Sequence, residues 1–353
     1  MKRIDERDVM FSRMNYKKGT KEYEDYYKRN PEKKEIDDVL RGMPNIGGEG
    51  TATYDPINSP IMDACFRFLG DIKRLSEGEV NDKKVDEIDP ATMTEKLKGL
   101  AKYYDAKLVG ITEMKPEHYY SHRGREIKDY GKEIENYHKY GIVFAVEMKK
   151  EMIFRAPQIA ESVAVTKGYI EAAIIGMVLS YYIRELGYDA RNHMDGNYLT
   201  VLPLVARDAG LGDIGRNGLL VTKEFGPRVR LGVVTTDLPL ICDKSDEFGL
   251  EEFCAVCNRC VRTCPGKAIP SGEKKEIDGM KRWQIQSEEC YRRWRALGTD
   301  CGICLANCPF SDNLPKELIE NIGQSSIRKK ILKEYNEKHG IRPIIREKPD
   351  WLK

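Results

Sequence analysis

No stretch of this 353-residue chain approaches the roughly 18 consecutive apolar residues that cross a bilayer, and the longest, residues 172–183, contains a tyrosine pair. With a mean hydropathy of −0.57, the sequence reads as a soluble protein with no membrane partner. An excess of charge of either sign is lacking too, because 59 Lys and Arg face 57 Asp and Glu. A surface that neutralises phosphates usually shows as a strong basic excess, so nucleic acid is disfavoured as a partner. Residues 1–8 lack an apolar h-region and any twin-arginine pair leading into one, which makes a cytoplasmic location the expectation. In that reducing compartment clustered cysteines are more often metal ligands or redox groups than disulfides. Internal repeats are missing as well, except for two cysteine motifs.

Those motifs hold most of what is present. Of ten cysteines, only Cys65 lies outside the segment from Cys242 to Cys308. Cys254-x-x-Cys257-x-x-Cys260-x-x-x-Cys264-Pro265 is the ferredoxin run for a cubane iron–sulfur cluster, in which the fourth cysteine reaches a second cluster. Cys301-x-x-Cys304-x-x-x-Cys308-Pro309 supplies three more thiols, and Cys290 is the candidate for the missing one. Crosswise ligation gives one cluster as Cys254, Cys257, Cys260 and Cys308, and the other as Cys264, Cys290, Cys301 and Cys304. Zinc sites use paired Cys-x-x-Cys knuckles instead, so two [4Fe-4S] clusters are the better reading. Cys65 reads as a small buried hydrophobe. Cys242 reads as either a ligand or a bystander, the second being favoured.

The first 40 residues carry 21 charged side chains and read as a solvated helical arm broken at Gly19 and Pro31. Residues 41–60 are rich in glycine and proline and read as irregular, and 76–90 as a polar linker. Helical periodicity over 94–104 and from Ile170 to Tyr181, with Gly187 as C-cap, alternates with strands at 106–111, 141–146 and 228–236. This mixture favours an α/β or α+β sheet domain over a helix bundle. The implied divisions are 1–92 (extension), 93–241 (core), 242–315 (cluster module) and 316–353 (charged helix and tail).

Two further patterns need weighing. Gly210-x-Gly212-x-x-Gly215 matches the dinucleotide fingerprint, with Asp237 placed as a ribose-binding acid would be. That fingerprint must follow a strand and open a long helix, whereas here it follows helix-like residues 205–209 and precedes Gly218 and Gly226. The same glycines can let backbone approach another large planar cofactor. His193-x-x-Gly196 matches half of a cobalamin signature, but the aspartate that would orient the histidine is replaced by Arg191.

Residues 209–222, 225–240 and the cysteine motifs, in that order, resemble the corrinoid-dependent reductive dehalogenases, and the likeness extends through 6–13, 23–27, 120–125 and 146–148. The resemblance implies a nitroreductase-like core holding a base-off corrinoid (cobalamin), joined to a ferredoxin-like double-cluster module. Epoxyqueuosine reductase, a related enzyme that reduces a tRNA base, shares this architecture. Exported respiratory members carry a twin-arginine signal, so the resemblance is to a cytoplasmic type.

By the resemblance, the family's catalytic tyrosine matches Tyr169 and its arginine Arg230, while a third site group falls at Asp195, with Asn197 and His193 nearby. Gly210, Gly212, Gly215 and Gly218 become candidates for a backbone wall against the corrinoid, and Arg228 and His193 for further cofactor contacts. Arg228 and Arg230, two apart on a strand, would share one face. His122 is a candidate site-lining group, although one histidine on a basic loop is more often solvated. The expected activity is reductive cleavage of a carbon–halogen bond in a small organic molecule, with Co(I) as reductant and Tyr169 as proton donor. Electrons would come from a low-potential donor such as ferredoxin or flavodoxin. The alternatives are a tRNA-modifying reductase, weakened by Tyr169 standing where that subfamily has an aspartate, and an electron-transfer protein with no chemistry of its own.

Overall fold

The computed structural model describes residues 2–135 and 138–353. Its centre is a four-stranded sheet of β1 (Leu108–Glu113), β2 (Tyr140–Glu147), β3 (Ala190–His193) and a long strand at Val229–Thr236, ordered β1, β2, long strand, β3. Every pairing is antiparallel. The fold class is therefore α+β, since parallel crossover units are what define the α/β alternative.

Helices coat both faces of this sheet, and the period of two in a strand decides which residue meets which helix. Ile142, Phe144 and Val146 of β2 join the core beneath the helix at Ile159–Glu185, whereas Val143 and Ala145 pack on the helix at Leu202–Asp208. On the long strand the same alternation puts Val234 in the first core and Val229 and Val233 in the second. Arg230 shares the face of Val234, and a methyl group on Gly168 would sit 2.7 Å from its Cγ, so glycine lets helix and strand approach there.

In chain order the helices before the sheet are α1 (Met10–Asn15), α2 (Lys21–Arg29), α3 (Lys34–Gly42), α4 (Ser59–Ile72) and α5 (Pro90–Tyr103). After β2 come α6 (Lys150–Ile153), α7 (Ile159–Glu185) and, beyond β3, α8 (Leu202–Asp208). Short strands β4 (Asp213–Ile214) and β5 (Leu220–Val221) precede the long strand, β6. The cysteine-rich part holds α9 (Leu250–Cys257), α10 (Arg259–Thr263), the hairpin β7 (Lys275–Ile277) and β8 (Met280–Arg282), α11 (Ser287–Leu297) and α12 (Ile303–Ala306). The chain closes with α13 (Lys316–Glu320) and α14 (Ser325–His339).

Several sequence expectations change. The long apolar helix is not confined to 172–183: α7 has 27 residues and is long and apolar enough to cross a membrane by length and composition alone. Here it lies on the sheet and against α4, buried around most of its girth, as a helix apolar on all sides must be in a packed core. The arm is not solvated. Tyr16, Tyr23, Tyr26 and Tyr27 bury one another, and the Arg13 guanidinium donates to the fully buried Asp37 carboxylate at 3.0 Å while pairing with Glu288 of α11 at 2.9 Å. Residues 59–72 form α4 rather than continuing the irregular segment, and Cys65 on it is half-buried. Cys242 is exposed. The carboxy-terminal tail also docks: Ile345 donates to Phe154 and the Leu352 carbonyl accepts from Asn58.

Candidate active site

Two groups of thiols stand apart in the cysteine-rich part. Cys254, Cys257, Cys260 and Cys308 line one small cavity, and Cys264, Cys290, Cys301 and Cys304 line part of the wall of a larger one. Tight turns bring them there: Asn258, Cys301 and Gly302 all take left-handed backbone conformations, at φ of 51°, 67° and 59°. Burial pushes Cys254, Cys260 and Cys301 up to about 12 and Cys290 to about 11, with neighbouring thiols adding to the shift. Such thiols release protons only in exchange for metal. Among the described residues, no three His, Cys, Asp or Glu side chains gather as a single ion would require. A cubane differs in that each thiolate binds its own iron, so four sulfurs spread around a cavity suit it.

The larger cavity, of about 350 Å³, lies between α7, β6 and the cysteine-rich part. Leu202, Pro203, Leu219, Leu231 and Ile285 give it an apolar lining, and Tyr169 and Arg230 stand on its wall. Tyr169 lies within α7 rather than at a helix start, and Arg230 projects from β6 so that its guanidinium carbon is 4.6 Å from the phenol ring centre. Phe66 of α4 packs against the same ring at 5.9 Å. The guanidinium is the largest influence on the phenol and favours the phenolate. Burial, with Asp195, Asp300 and Tyr198, outweighs it, and the hydroxyl is pushed up to about 12.

Two carboxyls on the same wall were not singled out by sequence reasoning. Asp300 accepts from Arg230 Nη2 at 3.3 Å, and Glu161, fully buried in the first turn of α7, accepts from Ser162 Oγ at 3.2 Å. Burial and the Asp300 charge push Glu161 well above the ordinary carboxylate range, with Arg230 opposing. A methyl group on Gly302 would sit 2.3 Å from Glu161 Oε1, so the turn carrying Cys301 closes directly over this carboxyl. A carboxyl whose folded pKa is raised contributes most stability below its unfolded value and loses that contribution as pH rises. Glu161→Gln removes the loss. The melting temperature of the variant is therefore expected to gain on the parent between about pH 5 and about pH 8 and to level off above that, and a difference independent of pH would contradict the assignment.

The other candidates fall in different places. Asp195 is on the cavity wall and pairs with Arg125 at 3.1 Å. Asn197 is turned away: its Oδ1 accepts from Arg123 and Arg191 and its Nδ2 donates to the Lys73 carbonyl, which makes it the lock of a turn. His193 edges the cavity, yet Nδ1 accepts from Leu199 N–H and Nε2 faces Thr235 Oγ1 at 2.9 Å, leaving no nitrogen free for a ligand. Burial, with Arg191 and His138, holds it well below the ordinary imidazole value and so neutral.

Arg228 is not on the wall of this cavity: it is fully buried, and its guanidinium is taken up by Glu147, Asn313 and the Met148 and Ser311 carbonyls. Gly210 and Gly212 do not form a wall to the cavity. Their backbones press on the Lys244 and Val221 carbonyls, where a methyl group would sit at 2.5 and 2.3 Å. Gly215 and Gly218 border a second, larger hollow of about 1070 Å³, which shares Pro203 and Ile285 with the first and also takes in His122.

Comparisons with known proteins agree with this arrangement. The 4Fe-4S dicluster domain family matches residues 253–311. The tetrachloroethene reductive dehalogenase of Sulfurospirillum multivorans is 38% identical over 177 residues, 48% of this chain and 35% of that protein. The epoxyqueuosine reductase of Lactococcus garvieae is 34% identical over 115 residues, 31% of this chain and 32% of that protein. A solved catabolic reductive dehalogenase superposes on 97% of this chain and 47% of its own, with a TM-score of 0.76 and 25% identity. The matched part thus amounts to about a third of the curated relatives' length. With its mixed helix and sheet core and its two groups of thiols, the chain is similar to the reductive dehalogenases over about half of its length and contains a 4Fe-4S dicluster domain.

Proposed function

We propose that this protein is a corrinoid- and iron–sulfur-dependent reductase that replaces a halogen by hydrogen in a small organic molecule. The observation that carries the proposal is the convergence of Tyr169, Arg230 and four cysteines on one buried, mainly apolar cavity. Apolar side chains for the flat faces of a ring, with polar groups beside them for its amide-bearing edge, fit a corrinoid. Glu161 Oε1 and Arg230 Nε, both buried and without hydrogen-bond partners among the described residues, belong to the same wall. Leu202, Pro203, Leu219, Leu231 and Ile285 are the residues that would hold the macrocycle. When bound, a corrinoid supplies a low-valent cobalt centre able to cleave carbon–halogen bonds reductively.

The net reaction takes two electrons and one proton and yields the hydrogenated product and a halide ion. Cys254, Cys257, Cys260 and Cys308 would hold one cluster, and Cys264, Cys290, Cys301 and Cys304, which line the cavity, would hold the other. Electrons arrive singly from a low-potential donor of the ferredoxin or flavodoxin kind. The chain's own residues manage the proton. Tyr169 keeps its hydroxyl proton throughout the neutral range and delivers it as negative charge develops on the substrate. Arg230, held by Asp300, lowers the cost of the resulting phenolate by standing over the ring. The relatives' names make small chlorinated alkenes the first substrates to try. The test is anaerobic loading with cobalamin followed by a halide-release assay with chlorinated ethenes and phenols.

A further inference from the structure

Two buried guanidiniums border the small cavity of Cys254, Cys257, Cys260 and Cys308. Arg216, 3% exposed, donates from Nε to the Cys254 carbonyl at 3.1 Å and from Nη1 to the Pro270 and Gly272 carbonyls at 3.0 and 2.7 Å. Its plane lies over the Trp283 ring at 4.3 Å. Arg259, also 3% exposed, spends its donors on Asn307, Asn336 and the Gly340 and Ile341 carbonyls. All these acceptors are neutral. Among the described residues neither guanidinium has a carboxylate within ion-pair distance, although the chain forms many such pairs elsewhere. Burying a cation without a counter-charge is strongly unfavourable, so something anionic must stand beside them.

The cavity they border is where that anion belongs. A cubane held by four thiolates is negatively charged, and gaining one electron makes it more so, while its potential is set by net charge and surroundings. The wall with Glu161 and Asp300 lies at the other group of thiols. Asn217, next to Arg216 in sequence, lines both cavities, so this turn of the glycine motif stands between the two sites.

We infer that Arg216, together with Arg259, is the counter-ion of the cluster held by Cys254, Cys257, Cys260 and Cys308, raises its reduction potential, and so makes it the site where an arriving electron rests. The inference rests on the dicluster assignment. The glycine motif then serves the electron path rather than a dinucleotide: Gly210 and Gly212 allow close backbone contacts, and the turn they support delivers Arg216. As a positioning residue, Arg216 acts on the cluster's electron affinity without touching substrate.

The experiment is an anaerobic redox titration of the full chain, followed by EPR, on the parent and on Arg216→Gln, Arg216→Lys and Arg262→Gln. The relevant signal is the one lost in Cys257→Ser. Arg216→Gln is expected to lower the reduced-to-oxidised ratio of that cluster about tenfold at fixed ambient potential, or 59 mV for a one-electron couple. Arg216→Lys keeps the charge and is expected to stay within about threefold of the parent. Arg262 is exposed and lies on α10 between Cys260 and Cys264. Its Gln variant is expected to move the ratio the same way by less, which preserves the test if Arg216→Gln loses its cluster. An unchanged ratio in both Gln variants overturns the inference, as does an equal shift in Gln and Lys, which would assign the effect to lost packing. A parent chain that holds fewer than two clusters would instead overturn the dicluster assignment.

Discussion

Tyr169→Phe is expected to lower dehalogenation turnover by roughly 10²–10⁴-fold, the usual worth of a positioned proton donor. The substitution removes one oxygen and leaves the ring. Contacts with Arg230 at 4.6 Å and Phe66 at 5.9 Å survive, and the cysteines are untouched. Cluster content and corrinoid uptake should therefore match the parent, and the loss should fall on the rate of a single turnover with loaded, reduced enzyme. Because the phenol is pushed up to about 12, its own ionisation lies above the working range. A pH–rate profile between about pH 6 and about pH 9 should show no limb from Tyr169. Undiminished turnover in the Phe variant would remove Tyr169 from the proton path.

Arg228→Ala is expected to destabilise the fold by about 3 kcal/mol, the lower end of the cost of breaking a buried ion pair. Arg228 has no exposed surface. It donates to Glu147 Oε1 at 2.8 Å, to the Met148 and Ser311 carbonyls at 2.6 and 2.8 Å, and to Asn313 Oδ1 at 3.1 Å. One side chain thereby ties the end of β2 to the segment that follows Cys308. Its removal leaves carbonyls without donors, while the part-exposed Glu147 can recover water, which places the estimate at the lower end. The guanidinium unfolding midpoint of the clustered protein measures it. A change below about 0.5 kcal/mol, ordinary for surface positions, would show that Arg228 is not a structural tie.

What the sequence could and could not carry follows from how local each signal is. The cysteine motif is a short-range pattern with a fixed chemical purpose, and the dicluster domain is readable from it alone. Strand alternation and helical periodicity locate the core elements, because burial on one face leaves a period behind. Glu161 and Asp300 leave no such trace. One looks like a favourable charge in a first helical turn and the other like a polar neighbour of a cysteine, and only the packing of α7 under the Cys301 turn brings them together. The arm misleads for a related reason: its charge is high, but Tyr23, Tyr26 and Tyr27 recur at helical spacing and bury themselves against Tyr16. Arg228 and Arg230 differ in partners that lie far away in sequence: Arg228 is taken up by Glu147, Ser311 and Asn313, whereas Arg230 meets Tyr169 and Asp300. Gly210 takes the left-handed conformation its residue type suggests, at φ 79°, yet its close neighbour is the distant Lys244 carbonyl.

The central claim is that the cavity beside Tyr169 and Arg230 holds a corrinoid and removes halide with electrons from the adjacent cysteine-bound clusters. Anaerobic loading with cobalamin tests it most directly, reading cobalt per chain and the Co(II) EPR signal together with halide released from a chlorinated ethene under a low-potential reductant. One cobalamin per chain is expected, with halide formed in step with the hydrogenated product. A chain that carries both clusters yet takes up no corrinoid, or that takes it up and reduces epoxyqueuosine in tRNA while releasing no halide, would contradict it.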